Sequence, residues 1–238
     1  MVGVYSVKIF KMISLLIIVC SFSGVTAFAE NQGFDTAPLP ADVVLKDYES
    51  INLRKNDEAA KIGGPIISFD VSDNNWVAFG TAENIIQILD PDGNTANTLE
   101  FDLHGSYHIE WFGKNLLLYL NRELLEMEIT TEGELIDVRE IDESSIKSQQ
   151  YWRFLSKRKE KTINNMTYQL QNDMGVLNLV AAGRYNQLIK TDNEGNTTIL
   201  YDVNTSRLIK MIIIIIFFIA FFTAVIILVF KKVLAMRK

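Results

Sequence analysis

The chain has 238 residues, with 23 basic against 29 acidic side chains, a net charge of −6 and one cysteine. That balance disfavours nucleic acid as a partner, and a lone cysteine excludes both a disulfide framework and a cysteine-based zinc site.

The first 29 residues read as a secretory signal: Lys8 and Lys11 give a positive start, Met12 to Val19 an apolar stretch, and Ala27-Phe28-Ala29 the small residues of a cleavage site. An uncleaved anchor helix is the alternative, although the apolar core is short for a full span. Cys20 is the sole cysteine, and Val19 stands where a lipoprotein signal carries Gly, Ala or Ser. Removal of the signal leaves an exterior segment with no thiol, whose stability must come from core burial. Residues 30–63 form a polar leader with Pro38 and Pro40, and the stretch from about 46 to 63 has room for extra strands.

From Gly64 onwards the pattern changes to short apolar runs separated by turn residues. Pro65 to Asp73, Trp76 to Thr81, Ile85 to Leu89 and Leu99 to Phe101 are expected strands, with Asp90-Pro-Asp-Gly-Asn94 as the turn between the last two. The pattern then repeats. Tyr107 to Phe112, Asn115 to Leu120, Leu124 to Thr130 and Leu135 to Ile141 are four more strands, the last pair joined by Thr131-Glu-Gly-Glu134. Gly93 and Gly133 hold equivalent places about 40 residues apart. A third copy runs from Tyr151 through Met166 to Gln171, then Gly175 to Ala181, Gln187 to Thr191 and Thr197 to Tyr201. Its turn is Asp192-Asn-Glu-Gly195, displaced by an insertion around Ser156 to Asn165.

A four-strand unit with a period near 40 resembles the blade of a β-propeller of the WD40 or NHL kind. The resemblance spans roughly Gly64 to Val203 and rests on strand count, period and the glycine turn. It implies an all-β exterior domain, 64–207, of about three four-stranded propeller-like blades in a partial or open ring. Such an array would leave edges and apolar faces for another protein to cover. No Gly-His and Trp-Asp signature and no sialidase-type Asp box occurs, so no residue role is carried over.

Met211 to Phe230 is an unbroken apolar run, long enough as a helix to cross the hydrocarbon of a bilayer. The expected transmembrane helix is 208–230, with 231–238 as a tail too short for any folded domain. Lys231, Lys232, Arg237 and Lys238 follow the span, against Arg207 and Lys210 before it, which places the tail in the cytoplasm and residues 30–207 outside. All 29 acidic residues lie in that exterior segment against 16 basic ones, a net charge of −13.

Candidate chemistry is sparse. His104 and His108 are the only histidines; on one strand they would stand about 13 Å apart, too far to share a metal. Asp90, Asp92, Asp192 and Glu194 fit turn chemistry, since the distal Glu and spacing of a calcium loop are missing. There is no nucleophile elbow, zinc-protease helix or phosphate loop, and no cofactor motif. Arg153, Lys157, Arg158, Lys159 and Lys161 form a basic island that could contact an acidic partner or the membrane surface, or simply stay solvated. Ala220 and Ala224 form a small-xxx-small pair that would let two helices approach. The sequence therefore predicts a single-pass, membrane-anchored, extracytoplasmic binding or scaffolding module, non-catalytic, that acts with a membrane protein partner or as a homo-oligomer. A cell-envelope hydrolase with dispersed carboxylates and a purely structural envelope protein are the alternatives.

Overall fold

The computed structural model describes residues 33–40, 51–56, 63–175, 178 and 184–235. The signal segment therefore lies outside the described residues, as do the last three residues. Among the described residues the strands form three antiparallel sheets. Sheet I holds β3 (Ile66–Val71), β4 (Val77–Thr81), β5 (Ile85–Leu89) and β6 (Thr95–Glu100), with β2 (Arg54–Lys55) added at the β6 edge. Sheet II holds β7 (Tyr107–Phe112), β8 (Asn115–Leu120), β9 (Leu125–Ile129) and β10 (Leu135–Ile141), with β1 (Thr36–Pro38) added beside β10. Helix α1 (Ile146–Lys157) leads into sheet III, formed by β11 (Glu160–Ile163), β12 (Met166–Gln171), β13 (Gln187–Thr191) and β14 (Thr197–Asp202). Helix α2 (Asn204–Ala235) follows.

The internal repeat survives at atomic detail in one turn per sheet. Asp90 Oδ1 accepts the backbone N–H groups of Asp92 (3.0 Å) and Asn94 (2.8 Å). Asp192 Oδ1 accepts those of Glu194 and Asn196, both at 2.9 Å. Thr130 Oγ1 takes the same part with Glu132 (3.3 Å) and Glu134 (3.0 Å). Gly93, Gly133 and Gly195 close these turns with φ of +89°, +88° and +84°, a left-handed conformation that explains the recurring glycine.

Sheet I is the middle layer. Its β3 and β4 are buried at nearly every position, as a strand covered on both faces requires, and their sequences are correspondingly apolar apart from Ser68, Asp70 and Thr81. One face buries Ile86, Ile88 and Leu99 against Ile109, Leu118 and Met127 of sheet II. The other buries Phe69, Val71 and Phe79 against Tyr168, Leu170 and Leu188 of sheet III. Each such side chain contributes roughly 1.5–3 kcal/mol by leaving water.

The third repeat differs from expectation at its start. Tyr151 opens no strand; it belongs to α1, where Ser148, Tyr151 and Leu155 form one buried stripe at helical spacing. The supposed insertion supplies β11 and a tight hairpin instead. Asn164 and Asn165 both have positive φ, +48° and +61°, the requirement of a type I′ turn. Of the strand expected over Gly175 to Ala181, Gly175 and Asn178 lie outside any strand, and the other residues are not among those described.

The free faces are not bare apolar surface. Helix α1 covers part of the outer face of sheet II, where Phe34 packs edge-on against Tyr119 and Tyr151 with ring centroids 4.8 Å from each. The outer face of sheet III carries Thr162, Thr167, Thr191 and Thr197 in register across all four strands. Outside α2, the large apolar side chains exposed among the described residues are Phe112, Ile136, Ile146 and Ile199. Among the described residues, α1 and polar side chains therefore occupy these two outer faces, which were expected to be left apolar for another protein to cover.

Only Val203 separates β14 from α2. Val203 and Asn204 are both buried, Asp202 Oδ1 accepts the Asn204 N–H (2.7 Å), and Arg207 Nη1 donates to Asn186 Oδ1 (2.7 Å). Residues 212–227 of α2 are exposed, and the helix is long and apolar enough to cross a membrane. Asn164 Nδ2 in the β11–β12 turn donates to the Asp73 carbonyl after β3 (2.7 Å). Those turns therefore lie together at the end of the sheets opposite α2.

Candidate functional site

A cleft of about 1460 Å³ opens on the outer face of sheet II, between that sheet and the segment formed by α1 and β11. The pleat of β9 and β10 places Glu126, Glu128, Asp137 and Arg139 on the face that lines it. Glu128 stands directly opposite Asp137, and Glu126 opposite Arg139. Like charges facing each other across two strands are unfavourable, so each has help. Arg139 Nε donates to Asp137 Oδ2 (2.8 Å), and Asn115 Nδ2 to Glu128 Oε1 (2.6 Å). No hydrogen bond reaches the Glu126 carboxyl among the described residues. Burial pushes its pKa up; Arg139 opposes this, while Asp137, Glu110 and Glu128 add to it.

The inner end of the cleft is an ion network. Arg158, just past the end of α1, lies between two acidic side chains, 2.7 Å from Glu110 and 3.5 Å from Asp70. Its Nη2 also donates to the carbonyls of Phe69 (3.1 Å) and Ile109 (2.9 Å), tying α1 to the adjacent β3 and β7. Lys161 reaches Asp70 at 2.8 Å and the Val71 carbonyl at 2.7 Å. Glu110 further accepts the hydroxyls of Tyr119 (2.9 Å) and Tyr151. Burial, and then the Glu110 charge, raise both phenols far above their ordinary pKa, so both remain donors. Burial weakens the charge on Arg158, but Asp70 and Glu110 outweigh it and the net shift is upward.

The basic island thus divides. Arg158 and Lys161 turn inward to these carboxylates, and the Lys159 ammonium stands 5.6 Å over the Tyr185 ring. Arg153 and Lys157 are exposed on the lip of the cleft. Ala220 and Ala224 lie exposed in α2. His104 is exposed before β7, whereas His108 is buried within it, 5.9 Å from the Trp152 ring. Burial, and then the Arg158 charge, lower the His108 pKa to about 4. No group of three metal-ligating side chains is gathered among the described residues.

Sequence reasoning missed Glu110, Glu126, Glu128, Asp137 and the two tyrosines as a group, because strand pairing alone brings them together. Asp70 did leave a signal. It is a charged residue inside the apolar strand Ile66–Val71, and a charge there needs a buried partner.

No family model and no curated protein matches the chain. Among solved structures it is similar to virginiamycin B lyase from Staphylococcus aureus bound to quinupristin, at 13% identity and TM-score 0.29, over 63% of this chain and 45% of that one. It is also similar to Saccharomyces cerevisiae Sqt1, at 12% identity and TM-score 0.29, over 62% and 33%. A third is BamB from Moraxella catarrhalis, at 10% identity and TM-score 0.26, over 74% and 63%. The chain thus spans less than half the length of the first two. At such low superposition and identity these likenesses distinguish no single family.

Proposed function

We propose that the chain is a membrane-anchored, extracytoplasmic binding module, non-catalytic, whose propeller-like sheets present the sheet II cleft to a partner in the same membrane. The observation that carries this reading is the joint at Val203, where a domain with a charged, aromatic-lined cleft runs directly into an apolar helix of spanning length. The charge asymmetry about Met211 to Phe230 supports a cytoplasmic tail and an exterior β domain.

The test is site-specific photocrosslinking of the full-length chain in its native membrane, with the reactive residue at Phe112 on the cleft or at Ile199 on sheet III. The expected result is one membrane partner captured from position 112, lost when 211–230 is replaced by an unrelated span. Absence of any product at 112, or a product only at 199, would sink the assignment of the cleft.

One observation favours a second reading, an envelope hydrolase. Glu126 has an upward-shifted carboxyl beside Glu128 and Asp137, the kind of asymmetry that separates a general acid from its partner base. A bell-shaped pH–activity profile lost in Glu126→Gln would favour it over binding alone.

A further inference from the structure

The charges of the cleft sort by wall once the internal pairs are set aside. Asp70 and Glu110 are satisfied by Arg158 and Lys161, Asp137 by Arg139, and Lys147 by Asp35 (3.0 Å). What is left on the sheet II wall is anionic: Glu126, with no hydrogen bond to its carboxyl among the described residues, and Glu128, held by the neutral Asn115. What is left on the α1 helix itself is cationic, while Glu160 of β11 adds one exposed carboxylate further along that wall. Arg153 and Lys157 are exposed and form no ion pair among the described residues. An occupant that matches both walls carries a positive group and a negative group apart from each other.

Size narrows the class. Pockets for small molecules enclose roughly 300–1,000 Å³, and this cleft encloses about 1460 Å³. An oligomeric ligand fits that space better than a free amino acid or other small zwitterion. A neutral oligosaccharide would leave the Glu126–Glu128 pair with only Arg139 to offset it and desolvated further, which opposes binding. A lipid headgroup is disfavoured by position, since Trp111 and Phe112 of the cleft lie at the end of β7 beside Asp70, near the turns opposite α2.

We infer that the occupant of the cleft is a peptide segment of dipolar charge, with a lysine or arginine side chain directed at Glu126 and Glu128 and an acidic side chain or terminal carboxylate directed at Arg153 and Lys157. This rests on the cleft being the binding site and adds the chemistry of what enters it. A basic side chain beside Glu126 relieves the mutual repulsion of three neighbouring carboxylates and replaces a missing hydrogen-bond donor. An arginine does so with two parallel N–H groups.

The experiment is selection of random heptapeptides displayed on phage against the full-length chain in nanodiscs. The variants Glu126→Gln and Arg153→Gln/Lys157→Gln, each checked for a cooperative melt no lower than the parent's, serve as counter-targets. The expected outcome is enrichment of sequences with one Lys or Arg and one Asp or Glu at a fixed separation. Synthetic versions should lose about tenfold or more in affinity for either variant, the cost of one close charge pair. Enriched peptides that bind both variants as well as the parent would overturn the inference, and so would a selection that enriches nothing. A partner still crosslinked at Phe112 in that case would leave the cleft as the binding site and remove only the dipolar peptide.

Discussion

The Tyr107 ring occupies the space over Gly80, so that a Cβ added to residue 80 would fall 2.5 Å from the ring. Tyr107 opens β7 of sheet II, yet its hydroxyl donates to the carbonyls of Thr81 (2.9 Å) and Ile85 (3.2 Å) in sheet I. The glycine is thus the receptor for a key from the neighbouring sheet. Gly80→Ala should cost about 1–3 kcal/mol through overpacking, read as a lower denaturant midpoint. Tyr107→Phe keeps the ring and should lose about 1 kcal/mol. An alanine variant as stable as the parent would show that the two sheets can shift freely against each other.

Arg158 is the only residue that joins α1 to the carbonyls of both β3 and β7, through Phe69 and Ile109, among the described contacts. Arg158→Met would leave Asp70 and Glu110 short of a cation in a buried setting, a change that typically costs about 3–5 kcal/mol. Arg153→Met, on the exposed lip, should change stability by less than about 0.5 kcal/mol. Thermal melts of the two variants side by side test the inward and outward halves of the basic island. Similar melts would contradict the division.

Acid should weaken the fold through His108. Its folded pKa, about 4, lies below the ordinary 6.5, so the unfolded chain binds the extra proton between those values. Stability is fully present above about pH 6.5 and falls as pH drops towards 4. The loss reaches on the order of 3 kcal/mol at 1.4 kcal/mol per unit. In His108→Gln the slope of stability against pH in that window should flatten. An unchanged slope would assign the acid sensitivity to other groups.

Glu126 has the opposite sign. Its carboxyl is shifted upward in the fold, so between its unfolded and folded pKa values the native state holds the extra proton and stability declines as pH rises. Glu126→Gln removes that penalty. The variant should melt higher than the parent at pH 7 and converge with it in acid below the unfolded carboxylate range. A variant less stable at pH 7 would show that the charge has a stabilising partner.

The strands were the most legible part of the chain. Short apolar runs bounded by turn residues place β7, β8, β10 and β13 at their observed residues, because both signals are local. Helix α1 was hidden for a physical reason. Its buried stripe is only Ser148, Tyr151 and Leu155, set among charges that read as a solvated loop. The paired asparagines 164 and 165 were the local clue to a hairpin there, and it went unused. The cleft was less legible still, since Glu110 and Arg158 meet across 48 residues and Asp70 joins them from another sheet. Composition shows that charges exist, but not which of them strand register brings face to face.

The single residue between β14 and α2 limits where the cleft can go. In the anchored arrangement, seven residues of helix from Asn204 to Lys210 rise about 10 Å at 1.5 Å per residue, roughly the depth of a headgroup layer. A flexible stalk would let the domain sweep a hemisphere and catch ligands at many heights. This joint gives it a fixed altitude and turns it only when the helix itself turns. A domain anchored in this way would meet only those neighbours whose own binding segment stands at that height above the bilayer.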